Sequence, residues 1–217
     1  MQQIELRLRD ADDWQFWAGQ YLEIIHPNGT SIPLSIASSP ARLPMLAVHY
    51  RSTPGAVDAR AFDQLLKDSA TLTIRGPSGD VFVRADQQQP LLLISGGTGA
   101  AQALSIITDT MLQGSAHPVT LVACADEQRD FYFQASLDAL KADWLETICI
   151  ADPNRTAANT GLRWLVEHAP VYQNRRAIIC GSPQFVYAVE DALAATDVSL
   201  QLESDVFAYA PRGRQLD

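Results

Sequence analysis

Cysteine is scarce. The 217 residues hold three, Cys124, Cys149 and Cys180, widely spaced and each in or at the end of an apolar or β-branched run. Three thiols cannot supply the four thiolates of an iron–sulfur cluster or a cysteine zinc site, and an odd number in apolar runs fits buried side chains in a reducing compartment. Histidine is as thin: among His26, His49, His117 and His168 no two stand four apart, so there is no helical metal pair, and no metal is expected. Positive charge is short too. Sixteen Lys and Arg face 25 Asp and Glu, a net charge of −9, of which −7 falls in residues 87–217. Such a chain repels nucleic-acid phosphates and anionic membrane surfaces, so neither is an expected partner. Long apolar runs are absent as well. The N-terminal MQQIELRLRDADDW alternates charge with apolar residues, and the uncharged Gln87–Thr108 is broken by Pro90 and its glycines, so neither a signal peptide nor a membrane span is expected and the protein reads as cytoplasmic.

What is present divides into two grammars. Residues 1–84 read as short strands (around Ile4–Leu8, Tyr21–His26, Ile32–Ala37 and Met45–Arg51) broken by PNGT and SSPARLP, with one helix at Asp58–Lys67. That spacing predicts a small antiparallel β-barrel. After the polar Asp86–Pro90 the period changes: strands at Leu91–Ser95, Val119–Ala123, Leu145–Ile150, Ala177–Cys180 and Val198–Leu202 alternate with helices to Gln113, over Asp130–Lys141, over Gly161–His168 and over Gln184–Ala195. Apolar strands alternating with helices predict an α/β unit, a parallel sheet covered on both faces. Two domains follow, 1–86 and 87–217, and a ligand crevice is expected at the carboxyl ends of the parallel strands. Gly96-Gly97-Thr98-Gly99, Cys124-Ala125-Asp126 and Cys180-Gly181-Ser182-Pro183 all fall there.

The glycine turn is neither G-x-G-x-x-G nor a Walker loop. At a helix N-terminus it reads either as an anion cradle or as a tight turn without a ligand, and Thr98 either as part of that cradle or as a helix N-cap. Cys180 taken alone reads as a small buried hydrophobe, and His49 as a barrel residue with one satisfied nitrogen. The alternation of Val206, Phe207, Ala208 and Tyr209 predicts a terminal strand.

As an ordered set, AGQYLEI (Ala18–Ile24), PLSIASSP (Pro33–Pro40), GPSG (Gly76–Gly79), ISGGTG (Ile94–Gly99), CGSP (Cys180–Pro183) and SDVFAY (Ser204–Tyr209) resemble the ferredoxin–NADP reductase superfamily, and within it bacterial NAD(P)H–flavin reductases, including the type that serves luciferase. The resemblance implies a flavin held by the barrel segment R-x-[aromatic]-[Ser/Thr]. On this chain the hydroxyl position is Ser35, the aromatic position Leu34 and the arginine position Ile32, so one of the three is kept. Members usually carry a further strand before the one that leads into AGQY, and the barrel is expected to be one strand short. The flavin contacts implied are Pro33, Leu34, Ser35, Ile36, Ala37, His49, Phe207 and Tyr209. The nicotinamide dinucleotide is assigned to Gly96, Gly97, Thr98, Gly99, Asp126, Cys180, Gly181, Ser182 and Pro183, with Ser35 and Cys180 flanking the hydride path. Without the arginine, riboflavin or FMN that enters and leaves is expected over tightly bound FAD. Asp126, where an NADPH-preferring relative would carry an arginine, points to NADH, with Arg129 nearby pulling the other way. The activity implied is NAD(P)H-dependent flavin reduction. The alternatives are an electron-transfer subunit for an oxygenase, ferredoxin or ferric acceptor, and a binding module without catalysis.

Overall fold

The structure is a computed structural model that describes residues 1–9, 11–52, 59–84, 86–115, 117–140, 142–152 and 157–213. The first part of the chain gives β1 (Gln2–Arg7), β2 (Tyr21–Ile25), β3 (Ser31–Ser35), β4 (Met45–Tyr50), helix α1 (Ala59–Asp68) and β5 (Thr73–Ser78). Strands β1 and β4 pair antiparallel, β3–β2–β5 form a second antiparallel sheet, and an isolated bridge, Ile36 with Val48, joins the two. Strand alternation turns Leu22, Ile24, Leu46 and Val48 inward around Phe16, Ile36 and Phe62, and this is the barrel core.

The pairings run β1, β3 and β5 in one direction and β2 and β4 in the other. The edges of β1 and β5 are therefore parallel to each other, and among the described residues they do not pair. The sequence left β5 unassigned because Thr-Ile-Arg-Gly-Pro-Ser offers one apolar side chain in six. The helix expected at Asp58–Lys67 appears as α1, with Asp58 itself outside the described residues.

From Leu91 the chain alternates: β6 (Leu91–Gly96), α2 (Ala100–Leu112), β7 (Val119–Ala125), α3 (Gln134–Asp138), β8 (Leu145–Ala151), α4 (Ala157–His168), β9 (Arg176–Cys180), α5 (Pro183–Ala194), β10 (Gln201–Glu203) and a one-turn α6 (Val206–Tyr209). The sheet is parallel in the order β10-β9-β6-β7-β8. Strands β7 and β9 are buried along their whole lengths because helices cover both faces. The chain steps outward from β6 to β7 and β8, then returns to lay β9 on the other side of β6. That reversal is a switch point, and a crevice opens at the carboxyl ends of β6 and β9.

Three sequence expectations are corrected here. The helix over Asp130–Lys141 shrinks to α3 behind a 3₁₀ turn at Gln128–Asp130, with Lys141 outside the described residues. The last strand moves from Val198–Leu202 to β10. The tail at Val206–Tyr209 is helical: Tyr209 N–H donates to the Asp205 carbonyl and Ala210 N–H to that of Val206. In so short a segment, strand propensity lost to packing of Val206 and Phe207 against the sheet's helices.

The antiparallel and parallel parts meet on helix α2. Ala37, Ala47 and Ala101 bring the backbones close, Ser105 Oγ donates to the Ser38 carbonyl at 2.8 Å, and Ser39 Oγ donates to Asp109 Oδ1 at 2.6 Å. Among the described residues no helix is long and apolar enough to cross a membrane.

Candidate functional site at the switch point

A cleft of about 240 Å³ opens where the crevice between β6 and β9 faces strand β3. Its walls are Pro33, Leu34 and Ser35 from the barrel, Thr98 and Gly99 from the glycine turn, Ile179 to Ser182 from the end of β9, and Ser204 to Val206 with Tyr209 from the tail. A larger hollow of about 750 Å³ beside Arg7, Arg9, Asp12 and Asp13 receives none of the sequence motifs.

The glycine turn divides into two kinds of position. A Cβ on Gly99 would lie 2.2 Å from the Cys180 carbonyl oxygen, and one on Gly96 would lie 2.8 Å from the Phe185 ring, so these glycines serve the protein's own packing. Gly97 differs: its φ is +57°, in the left-handed region, and an added Cβ would meet nothing within 4 Å. The bare backbone there faces open space. The turn forms a 3₁₀ segment, Gly97–Gly99, leading straight into α2; Ala100 N–H donates to the carbonyls of Gly97 and Thr98, and the positive end of the helix dipole lies at the glycine turn. Thr98 makes no side-chain cap, so its reading as an N-cap is corrected. Ser182 is a cap, accepting from Phe185 N–H at 3.3 Å with Pro183 in the first turn of α5, a signature the sequence carries in S-P-x-F.

Ser35 pairs in register with Tyr21 on β2, and both border the cleft. The aromatic expected at position 34 is leucine, and Tyr21 brings an aromatic ring from the neighbouring strand. Ile32 packs against the barrel core and does not border the cleft, whereas Leu34 does both. Among the described residues no Lys or Arg lines it. Arg42 lies 3.9 Å from Glu5, and Arg51 pairs with Asp130 at 3.2 Å. Ile36 is fully buried in the barrel core and Ala37 in the seam with α2, so neither lines the cleft. Phe207 turns away too, its ring 5.8 Å from Tyr187, whereas Tyr209 does border the cleft.

Cys180 is 2% exposed, and burial pushes its thiol pKa up, so it stays protonated and is no nucleophile. Asp126 is exposed at the end of β7 and outside the cleft, and Arg129 is held by Glu127 at 2.7 Å. His49 is 4% exposed and borders the cleft, with its pKa lowered to about 4 by burial.

Sequence reasoning missed Asp205. Its Oδ1 accepts from the N–H groups of Asp80 and Val81 at 3.1 and 3.3 Å, and Oδ2 accepts from Gln102 Nε2 at 3.3 Å. It thus ties the barrel's Asp80 turn to α2 while bordering the cleft. Desolvation lifts its pKa to about 6 against the pull of those donors. The available signal was Ser-Asp ahead of a short apolar run, a helix start rather than a strand.

Comparison with known proteins places this geometry. Residues 93–191 match the family described as oxidoreductase NAD-binding domain. Over 223 residues, 97% of this chain, the sequence is 29% identical to a terephthalate 1,2-dioxygenase reductase component of Comamonas sp. It is 30% identical over 150 residues, 59% of this chain, to the NAD(P)H-flavin reductase of Vibrio harveyi. The chain spans 65% and 63% of those two proteins, respectively, under two thirds in each case. A cytochrome P450 reductase from Amycolatopsis has the same fold over 94% of this chain and 64% of its own, with a TM-score of 0.76 at 24% identity.

Proposed function

We propose that this chain, whose residues 93–191 match an oxidoreductase NAD-binding domain, is a reductase of the ferredoxin–NADP reductase type and passes hydride from a nicotinamide dinucleotide to a flavin in the cleft between domains 1–86 and 87–217. One observation carries the reading: Ser35 from the antiparallel unit, and Thr98, Gly99, Cys180 and Gly181 from the parallel sheet, converge on one cleft at the switch point. The cleft fits a flat ring system with polar edges in its chemistry, with apolar Pro33, Leu34, Ile179 and Val206, aromatic Tyr21 and Tyr209, and hydrogen-bonding side chains on several sides, among them Ser35, Thr98, Gln102 and Asp205. The open space at Gly97, before the N-terminus of α2, suits a pyrophosphate.

When bound, the dinucleotide supplies the hydride and the flavin the accepting ring. The protein's part is placement. Ser35 offers a hydroxyl at the ring edge, the protonated Cys180 fills the floor, and Tyr209 limits water from the tail side. Among the described residues no Lys or Arg lines the cleft, which supports riboflavin or FMN that exchanges over a firmly held dinucleotide flavin. Asp126, with Glu127 occupying Arg129, supports NADH over NADPH because a 2′-phosphate would meet carboxylates.

A second reading, a reductase component feeding an oxygenase or ferredoxin, is favoured by the names of the relatives, among them reductase components for terephthalate and naphthalene dioxygenases. Purified protein separates the two readings. A colourless protein that oxidises NADH only with added riboflavin is the expected result, whereas a yellow protein that reduces an external acceptor without added flavin makes it a component. A colourless protein inert with every flavin refutes both. Ser35→Ala is expected to lower kcat about tenfold, equal to about 1.4 kcal/mol, with flavin KM little changed, because a hydrogen bond to the ring edge matters most as electrons arrive. An unchanged single-turnover rate reduces Ser35 to a barrel residue.

A further inference from the structure

Among the described residues His49 alone borders both the cleft and a second cavity, of about 260 Å³. Tyr132 borders the second cavity only, is 36% exposed, and its hydroxyl hydrogen-bonds His49 Nδ1. The two rings meet edge to face with centroids 5.0 Å apart, and Phe133 packs on Tyr132 at 5.3 Å, which fixes the phenol in place. Nothing in the cleft chemistry described so far uses this pair.

We propose that Tyr132 and His49 form the route by which a proton passes between solvent and the cleft, with Tyr132 a positioning residue that keeps the His49 proton on Nε2. This rests on the hydride-transfer reading. Reduction of a flavin by NADH takes one hydride from the nicotinamide and one proton from water, giving NAD⁺ and the dihydroflavin, so once the two rings fill the cleft and displace its water a proton path is needed.

The tautomer follows from the charge states of the pair. Burial lowers the His49 pKa and raises that of Tyr132, so the imidazole is neutral and the phenol keeps its proton at neutral pH. The phenol therefore donates and Nδ1 accepts, which places the imidazole proton on Nε2. A neutral imidazole held this way passes a proton by releasing the one on Nε2 while Nδ1 takes the phenol's; the phenol regains one from the water it touches, leaving hydroxide to the solvent, and a turn of the imidazole ring brings the protonated nitrogen back to the cleft side before the next passage. Atoms and charge balance at each exchange.

The test combines a measurement without ligands and one with them. ¹⁵N NMR of the flavin-free parent at pH 7.5 should show His49 protonated on Nε2, and Tyr132→Phe should convert it to a mixture of tautomers. In stopped flow with riboflavin, Tyr132→Phe and His49→Gln should each slow reduction by NADH by less than about tenfold, with a larger solvent deuterium effect and unchanged KM for NADH, a modest share of the ~10²–10⁴ of general acid–base catalysis because water remains a slower donor. A proton on Nδ1 in the parent overturns the proposal, and so do variants that match an active parent in rate and isotope effect. A parent that reduces no flavin at all overturns the functional reading and the route with it, a result distinct from active variants.

Discussion

Gly99→Ala is expected to destabilise the protein by about 3 kcal/mol or more, whereas Gly97→Ala, two residues earlier, costs about 1–2 kcal/mol. The difference lies in what each Cβ meets. At Gly99 the new carbon would stand 2.2 Å from the carbonyl oxygen of Cys180, 2.4 Å from its carbonyl carbon and 2.7 Å from the nitrogen of Gly181. All three atoms are backbone at the end of β9, which is hydrogen-bonded into the sheet, and no side chain can rotate out of the way. Helix α2 must therefore lift from the strand, and nine of its residues are buried. For a domain of this size the loss corresponds to a fall in Tm of about 6–12 °C. At Gly97 the cost is only that of a left-handed φ in a residue with a Cβ, and the side chain enters open space. Gly97→Ala should instead weaken NADH binding, since that space is where a pyrophosphate would approach. Thermal unfolding and NADH titration of both variants check this. Equal Tm values would show that the close approach of α2 to β9 is not what requires glycine.

Asp205→Asn is expected to make the protein more stable and less active. The carboxyl pKa rises from 3.8 to about 6 in the folded protein, so between those values the folded state holds a proton that the unfolded chain has released. Stability therefore falls as pH rises through that window and stays lower above it. Two pH units correspond to about 3 kcal/mol, trimmed to about 1–2 kcal/mol because the group is partly open to cleft water. Asparagine keeps an oxygen for the N–H groups of Asp80 and Val81 without the charge and gives up only the acceptor for Gln102 Nε2, whose amide still donates to the Val81 carbonyl. The variant should match the parent's stability near pH 4 and exceed it near pH 7.5. Activity should move the other way. On the proposed reading a bound nicotinamide would gain positive charge as hydride leaves, and the Asp205 carboxylate bordering the cleft would favour that charge, so its loss would lower kcat by roughly 10–100-fold, about 1.4–2.8 kcal/mol. The parent's kcat should also decline as pH falls through about 6, a limb the variant lacks. Identical pH profiles with equal kcat would leave Asp205 as a structural tie between the barrel turn and Gln102.

The comparison of expectation with structure is clearest in residues whose partners are distant. Thr98, Gly99 and Cys180 were legible because strand ends in an alternating α/β pattern converge by topology, and Ser35 through the resemblance that PLSIASSP carries. Tyr21 was not, because its place beside Ser35 comes from strand register, and nothing local in AGQYLEI sets it. Phe207 and Tyr209 were treated alike when the tail was read as a strand, and one helical turn sends them to different surroundings.

By itself the sequence determined the architecture: period-two alternation and turn residues for the antiparallel unit, continuous apolar strands with intervening helices for the parallel sheet, and from these the crevice at the carboxyl ends. Those signals are local, and burial acts on each segment in the same way wherever it finally packs. Only the tertiary structure decided which glycine faces open space, which carboxylate closes the cleft and which phenol meets His49. Each depends on groups tens of residues apart brought within a few ångströms, and no pattern along the chain encodes a distance across it.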